Sequence, residues 1–203
     1  MGPASDTGVS MSCTDLSAAP SASPGADYRL RSYHPGDETA WLAIHRAADP
    51  YNRFLPETFD RQFGERRDEL PRRQVYLLNP AGTPVGTATA WYGDPGPRTL
   101  TGRVHWVAIV PEEQGRGLAK PLLSAVCQRL LALGHRQAYL TTSIVRIPAI
   151  NLYFAYGFLP DLDPAPARQA WAHLLSQALT AAPAPRPALL AWLQAHLPAS
   201  ACP

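Results

Sequence analysis

Gly115 and Gly117 stand two residues apart between a run of β-branched residues and an apolar helical stripe. Lacking a Cβ, they let the backbone bend tightly and approach a ligand closely. The helix that follows aims its unpaired N–H groups and the positive end of its dipole at the same spot. Such a place binds phosphate. Arg116 and Lys120 flank it and either add charge suited to a pyrophosphate or stand as solvated cations at a helix start. Downstream, Tyr153 and Tyr156 precede Gly157-Phe158; a hydroxyl there either protonates a leaving group or is the wet end of a packed ring. His105 lies in the strand itself, with an ordinary pKa near 6.5 that suits a proton acceptor, although a lone strand histidine is more often a satisfied core residue. The six histidines show no metal-ligand spacing, and Cys13, Cys127 and Cys202 are odd in number and scattered. Reduced thiols are expected rather than a disulfide framework.

The elements that must position these residues can be read from periodicity. Residues 104–110 have the composition of a central strand covered on both faces, and Pro111 ends it by removing a ladder donor. Leu118, Leu122, Val126, Leu130 and Leu133 share one helical stripe, with Pro121 in the first turn where its missing N–H costs little. A Rossmann unit opens with the same strand, turn and helix. The third glycine of G-x-G-x-x-G would fall at Lys120, however, and no acidic residue closes the next strand in the expected way, so the dinucleotide reading loses to the others, and a nucleotide-binding protein using the same loop stays as a third reading. Residues 28–33 alternate as a first strand, and Pro35-Gly36-Asp37 leads into a helix bearing Trp41, Leu42, Ile44 and His45, with Asp37 as N-cap. Residues 49–73 are charged, aromatic and broken by prolines, with a short helix near 57–67. Residues 74–78 and 85–92 form a hairpin across Asn79-Pro80-Ala81-Gly82, residues 93–97 turn, and residues 137–142 form a later strand.

Two stretches carry a family resemblance. Gln114, Gly117 and Ala119, preceded by Val110-Pro111, resemble the pyrophosphate loop Gln/Arg-x-x-Gly-x-Gly/Ala of the GNAT superfamily of acyl-CoA N-acyltransferases. Ala149-Ile150-Asn151-Leu152-Tyr153, followed by Gly157-Phe158, resembles the family's A-I-x-L-Y-x-x-x-G-F helix. Together they cover the central third of the chain. The resemblance implies an α/β (α+β) fold with a mixed, mostly antiparallel central sheet, splayed at the fourth and fifth strands and flanked by helices. It implies acetyl-CoA as acyl donor. Its diphosphate would rest on the amides of Gln114, Gly115, Arg116, Gly117, Leu118 and Ala119, with Lys120 beside them, and its pantetheine arm would lie along Val107, Ala108 and Ile109. Tyr153 matches the acid that protonates the CoA sulfur. Where some members carry a carboxylate base this chain has Arg103, so His105 becomes the candidate base, placed by strand alternation on one face with Arg103, Val107 and Ile109. Arg146 stands where many relatives have an Asn that touches CoA, and brings a guanidinium to the cofactor or the acceptor. The family builds one acceptor wall from the region 49–73. There Asp49, Tyr51, Asn52, Glu57 and Asp60 either hold an amine or form a solvated face.

Three segments are expected. Residues 1–27, rich in Ser, Ala, Pro and Gly, read as a disordered tail, residues 28–160 as the GNAT domain, and residues 161–203 as a helical C-terminal extension where the family usually adds two strands. Within the extension, helices near 167–179 and 188–197 are joined by a Pro-Ala linker. Trp171, Leu174, Leu175, Ala178 and Leu179 form one apolar stripe, and Leu189, Leu190, Trp192, Leu193 and Leu197 a second. The stripes either cover a bare sheet edge or pair with a second copy in a homodimer. A net charge of +2 argues against nucleic acid or an anionic membrane as principal partner. No apolar run nears eighteen residues and no secretory h-region opens the chain, so the cytoplasm is the expected compartment. The expected function is an N-acetyltransferase moving an acetyl group from acetyl-CoA to a primary amine of a small molecule or peptide by direct attack. The alternative is a non-catalytic acyl-CoA binding domain that recruits a protein partner.

Overall fold

Val9, Met11 and Cys13 alternate with small polar residues, a period of two that suits a strand with one buried face. In the computed structural model, which describes residues 7–93, 100–178 and 183–198, they form β1 (Gly8–Cys13) with their side chains in the core. This corrects the expectation of a disordered tail over 1–27. The segment is too poor in apolar residues to fold alone, yet it folds as one strand of a sheet that supplies the rest of the core. Residues 1–6 lie outside the described residues, as do Leu179, Cys202 and most of the turn expected over 93–97.

The remaining elements are β2 (Arg29–Ser32), α1 (Glu38–Ala48), α2 (Thr58–Phe63), α3 (Leu70–Arg73), β3 (Gln74–Leu78), β4 (Pro84–Tyr92), β5 (Thr101–Ile109), α4 (Ala119–Ala132), β6 (Gln137–Ser143), α5 (Ile147–Ala155), β7 (Leu159–Pro160), α6 (Ala165–Ser176) and α7 (Pro187–His196). One seven-stranded sheet runs in the order β2-β3-β4-β5-β6-β1-β7. Every pairing is antiparallel except β5 with β6, which is parallel and confined to Thr101↔Gln137, Gly102↔Ala138 and Arg103↔Tyr139. Beyond Arg103 these two strands part. The splayed, mostly antiparallel sheet matches the fold implied by the resemblance.

Each face of the sheet has its own core. On one, α4 lays Leu122, Leu123, Val126, Cys127 and Leu130 against β4 and β5. On the other, Trp41 and Ile44 of α1 and Phe59 and Phe63 of α2 pack with Tyr76 and Ala108. Asp37 precedes α1 but does not cap it through its side chain. Its carboxylate instead accepts from Arg31 at 2.6 and 2.8 Å and from the His34 amide at 2.6 Å.

The C-terminal extension packs on the strand that composition had hidden. Asp161 accepts from the Ser12 hydroxyl at 2.9 Å, its own amide donates to the Ser10 carbonyl, and its carbonyl takes the Trp171 indole N–H. Trp171 and Leu174 of α6 and Leu189 and Leu193 of α7, with Leu197 just beyond it, are buried in the same cluster as Val9 and Met11. Much of both apolar stripes is therefore buried within the chain itself. No helix among the described residues is long and apolar enough to cross a membrane.

Met11 is fully buried at the centre of β1, between Leu140 and Pro160 on its two neighbouring strands. Met11→Ala is expected to lower stability by about 2–5 kcal/mol, the range for truncating a buried Met. Urea denaturation checks this, because a β1 that only lies on the surface would leave the midpoint unchanged.

Candidate active site

The divergence of β5 from β6 leaves one backbone edge of β5 without a strand partner over residues 104–109, while β4 holds the other edge. Within that stretch the ladder to β4 slips. Thr89 pairs with His105 and Thr87 with Ala108, so Ala88 alone faces both Trp106 and Val107. This is a bulge, and Trp106 takes it up with φ of 51°, a left-handed conformation that costs a non-glycine residue about 1–3 kcal/mol. The bulge breaks alternation. Val104, Val107 and Ile109 pack on the α4 side, whereas Trp106 and Ala108 pack on the α1 and α2 side. His105 lies there too, with its ring 5.9 Å from that of Phe63. His105 thus does not share a face with Val107 and Ile109, because the inserted residue reverses the period that simple alternation assumes.

The glycine turn lies at the open end of β5. Gly115 and Gly117 have φ of 75° and 76°, and a Cβ built on either meets nothing within 4 Å. Open space therefore faces the turn. The Lys120 amide closes back on the Gly117 carbonyl at 3.1 Å, but the amides of Gly115, Gly117 and Leu118 have no hydrogen-bond partner among the described residues. Free donors in a positive-φ turn ahead of a 14-residue helix have the geometry that suits an anion. Gln114 Nε2 donates to the Ile109 carbonyl at 2.8 Å and ties the loop to the strand end. Arg116 contacts the Tyr28 hydroxyl at 3.0 Å and Glu113 at 3.1 Å, so its cation is shared with the protein's own groups. Leu118 is buried in the core and Ala119 packs at its edge, which leaves them backbone roles at the turn.

The opposite wall is aromatic and polar. The Gln62 amide oxygen lies 2.9 Å from Trp106 Nε1 and 3.1 Å from His105 Nε2. An indole N–H only donates, so the atom facing it is the amide oxygen, and that oxygen obliges His105 Nε2 to donate as well. The neutral tautomer is fixed and the lone pair sits on Nδ1. Burial, with Arg103 and His45 adding to it, holds the His105 pKa well below 6.5. His45, against Trp41 and Trp106, is pushed down by burial to about 3, with Asp49 opposing and Arg146 adding to the effect. Both imidazoles are uncharged at neutral pH.

Asp49 and Arg146 meet across this wall. Arg146 Nη2 lies 2.9 and 3.0 Å from the two carboxylate oxygens. Asp49 also accepts from the Tyr51 amide, the Asn52 amide and Asn52 Nδ2 at 3.0, 3.2 and 2.7 Å. Burial alone would raise the Asp49 carboxyl, but the hydrogen bonds from Asn52, Tyr51 and Arg146 hold it below the usual range. Asp49 is thus not free to hold an amine, and Arg146 is engaged on the α1 side rather than by the glycine turn. Asn52 is engaged with Asp49, whereas Glu57 and Asp60 are exposed on and beside α2.

The two tyrosines separate cleanly. The Tyr156 hydroxyl donates to the Lys120 carbonyl at 2.8 Å, which fastens α5 to the start of α4. Tyr153, one turn earlier, is buried beside Phe158 and its hydroxyl has no partner among the described residues. Burial pushes it up to about 12, with Arg146 pulling the other way. Gln62, Trp106 and His45 were missed as site residues by the sequence. The bulge that turns Trp106 inward has no local signature, and only the placing of Gln62 beside Phe63 on a helix with Phe59 hinted that it faces the core.

A model described as the acetyltransferase (GNAT) family matches residues 40–158. The chain is 32% identical over 151 residues to the mycothiol acetyltransferase of Arthrobacter sp. (strain FB24), covering 68% of this chain and 45% of that protein. It is 33% identical over 145 residues to the enzyme of the same name from Thermobispora bispora, covering 64% and 46%. The chain thus spans about half the length of the curated relatives it matches. A GCN5-related N-acetyltransferase from Sphaerobacter thermophilus superposes with a TM-score of 0.63 at 22% identity, over 76% of this chain and 48% of that one. A phosphinothricin acetyltransferase from Sinorhizobium meliloti, solved in complex with AcCoA, gives 0.56 at 22% identity over 65% and 75%. These two likenesses concern the fold, while the family match spans most of the elements that build the crevice, from α1 to the residue after Gly157. By sequence pattern and by architecture, the chain belongs to the acetyltransferase (GNAT) family.

Proposed function

We propose that this chain is an N-acetyltransferase, moving the acetyl group of acetyl-CoA to a primary amine by direct attack in the crevice between β5 and β6. One observation carries the reading: an open turn of unpartnered amides at Gly115, Gly117 and Leu118 opens the helix to which Tyr156 is fastened, three residues from the unpartnered Tyr153 hydroxyl. The Tyr156 bond to Lys120 supports their nearness, because residues three apart on a helix share a face. Acetyl-CoA supplies the acyl group. The amides of the turn would hold its diphosphate, and the unpaired edge of β5 at Val107, Ala108 and Ile109 would align the pantetheine arm.

Each residue then has one task. Attack forms the C–N bond and breaks the C–S bond. The amine gives up a proton, for which His105 Nδ1, directly or through water, is the proposed acceptor. Tyr153 delivers a proton to the departing sulfur and is reprotonated from solvent. The relatives named for mycothiol support a small-molecule acceptor, with a peptide amino group as the second choice. The free thiols Cys13 and Cys127 support the cytoplasm as the place of reaction.

Tyr153→Phe is expected to lower kcat about 100-fold while leaving the acetyl-CoA dissociation constant unchanged, measured by thiol release and by calorimetry. Unchanged turnover would remove Tyr153 from this role, and tight acetyl-CoA binding without thiol release for any amine would favour the non-catalytic alternative. The pH profile is a second test. Tyr153 must be protonated to act, and with its hydroxyl pushed up to about 12 that form persists through the whole accessible range. His105 must be neutral, and burial keeps it so well below 6.5. The value of kcat/KM should therefore rise between pH 6 and 10 as the free amine deprotonates, with no falling limb. An acid limb centred near 6.5 for amines of different basicity would contradict the neutral His105.

A further inference from the structure

Arg146 is held unusually for a residue beside an acyl-transfer crevice. It immediately precedes α5, the helix of Tyr153, yet reaches back to the end of α1. Among the described residues only its Nη2 is engaged, by the two oxygens of Asp49, and its Nε is buried without a partner. Its side chain is 31% exposed while that of Asp49 is 6% exposed. The Tyr51 ring, itself at the surface, stands 5.3 Å from the guanidinium carbon and covers one face. Asp49 takes five hydrogen bonds in all, from Arg146, Asn52 and Tyr51, and has no capacity left for a ligand. The result is a guanidinium fixed from behind, stacked on one side, and open along the donors of Nη1.

Such a group recognises a planar anion through paired N–H donors. We propose that Arg146 is an acceptor-specificity residue that binds the carboxylate of an amine substrate of the amino-acid type, and that Asp49 is the positioning residue that presents it; this rests on the acetyltransferase reading above. A carboxylate is preferred over a phosphate because Arg146 and Asp49 together carry no net charge, and a second negative charge on the ligand would face the Asp49 carboxylate at close range. The electrostatic influence of Arg146 on both Tyr153 and His45 agrees with a position between the proton donor and the acceptor wall.

The test separates recognition from chemistry. N-acetyl α-amino acids and their carboxamides, which mimic the two kinds of product, are titrated calorimetrically into the full chain in the presence of CoA. Wild type is expected to bind at least some carboxylates at least tenfold more tightly than the paired amides. Arg146→Gln should erase that difference, Arg146→Lys should keep part of it, and Asp49→Asn should reduce it with Asp49→Glu restoring part. In thiol-release assays Arg146→Gln should raise KM for the carboxylate-bearing amine at least tenfold and leave KM for acetyl-CoA within threefold. Equal binding of acids and amides to wild type, absence of binding by both, a preference for aminoalkyl phosphates, or a preference that survives in Arg146→Gln overturns the proposal. The wild-type comparison decides even if the variants unfold. Absence of thiol release with every amine would defeat the acetyltransferase reading, whereas a retained acid preference in binding would still support the site.

Discussion

Three backbone pairs join β5 to β6, and the crevice depends on their stopping at Arg103 and Tyr139. Where the strands still touch, Gly102 keeps α4 close: a Cβ there would stand 2.4 Å from Leu130 Cδ2. Past that point each strand is claimed from its other side. β4 holds β5 through Ile109, and β1 holds β6 from Ala138 to Ser143. A sheet can open in its middle only if both lips are anchored outward, since an unheld strand would close the gap to recover its hydrogen bonds. The N-terminal strand is therefore part of what keeps the crevice open.

The bulge at Trp106 completes the separation of roles along β5. One inserted residue leaves Val104, Val107 and Ile109 to the α4 core and gives His105 and Trp106 to the α1 and α2 wall. A regular strand would send one of that adjacent pair to the opposite face. The left-handed Trp106 persists because its ring is fixed on several sides: it lies 5.6 Å from Trp41, 5.5 Å from Phe54 and 5.3 Å from His45, with its N–H on Gln62. Dispersion and one part-buried hydrogen bond together offset a backbone cost of about 1–3 kcal/mol.

How much of this the sequence disclosed follows from the range of the interactions. The glycine turn and the tyrosine helix were legible because their chemistry lies in contiguous residues, and the hairpin at Asn79 and Gly82 closes on local bonds as turn chemistry requires. β1 was overlooked because a Ser-, Ala- and Pro-rich composition outweighed a period of three apolar residues, Val9, Met11 and Cys13. The facing of His105 was misjudged because a bulge is set by the partner strand. The pairing of Asp49 with Arg146 spans 97 positions, and no local pattern at either residue announces the other. Asp49 was offered as a group free to hold an amine, whereas its carboxylate is taken up by Tyr51, Asn52 and Arg146.

The electrostatic state of the wall built by α1, α2 and the bulged part of β5 follows from these placements. His45 and His105 are uncharged, and the Asp49 carboxylate is neutralised by Arg146 and four further contacts from Tyr51, Asn52 and a second Arg146 hydrogen bond. An amine entering such a place leaves water without gaining a free carboxylate from this pair or these imidazoles, so its ammonium form is disfavoured and its pKa falls. Arg146 pushes in the same direction. Nucleophilic attack needs the neutral amine, so a wall that withholds a counter-charge favours the reactive form as the substrate binds. In the proposed reaction a weakly basic His105 would then have only to take a proton from an amine already poised to lose it.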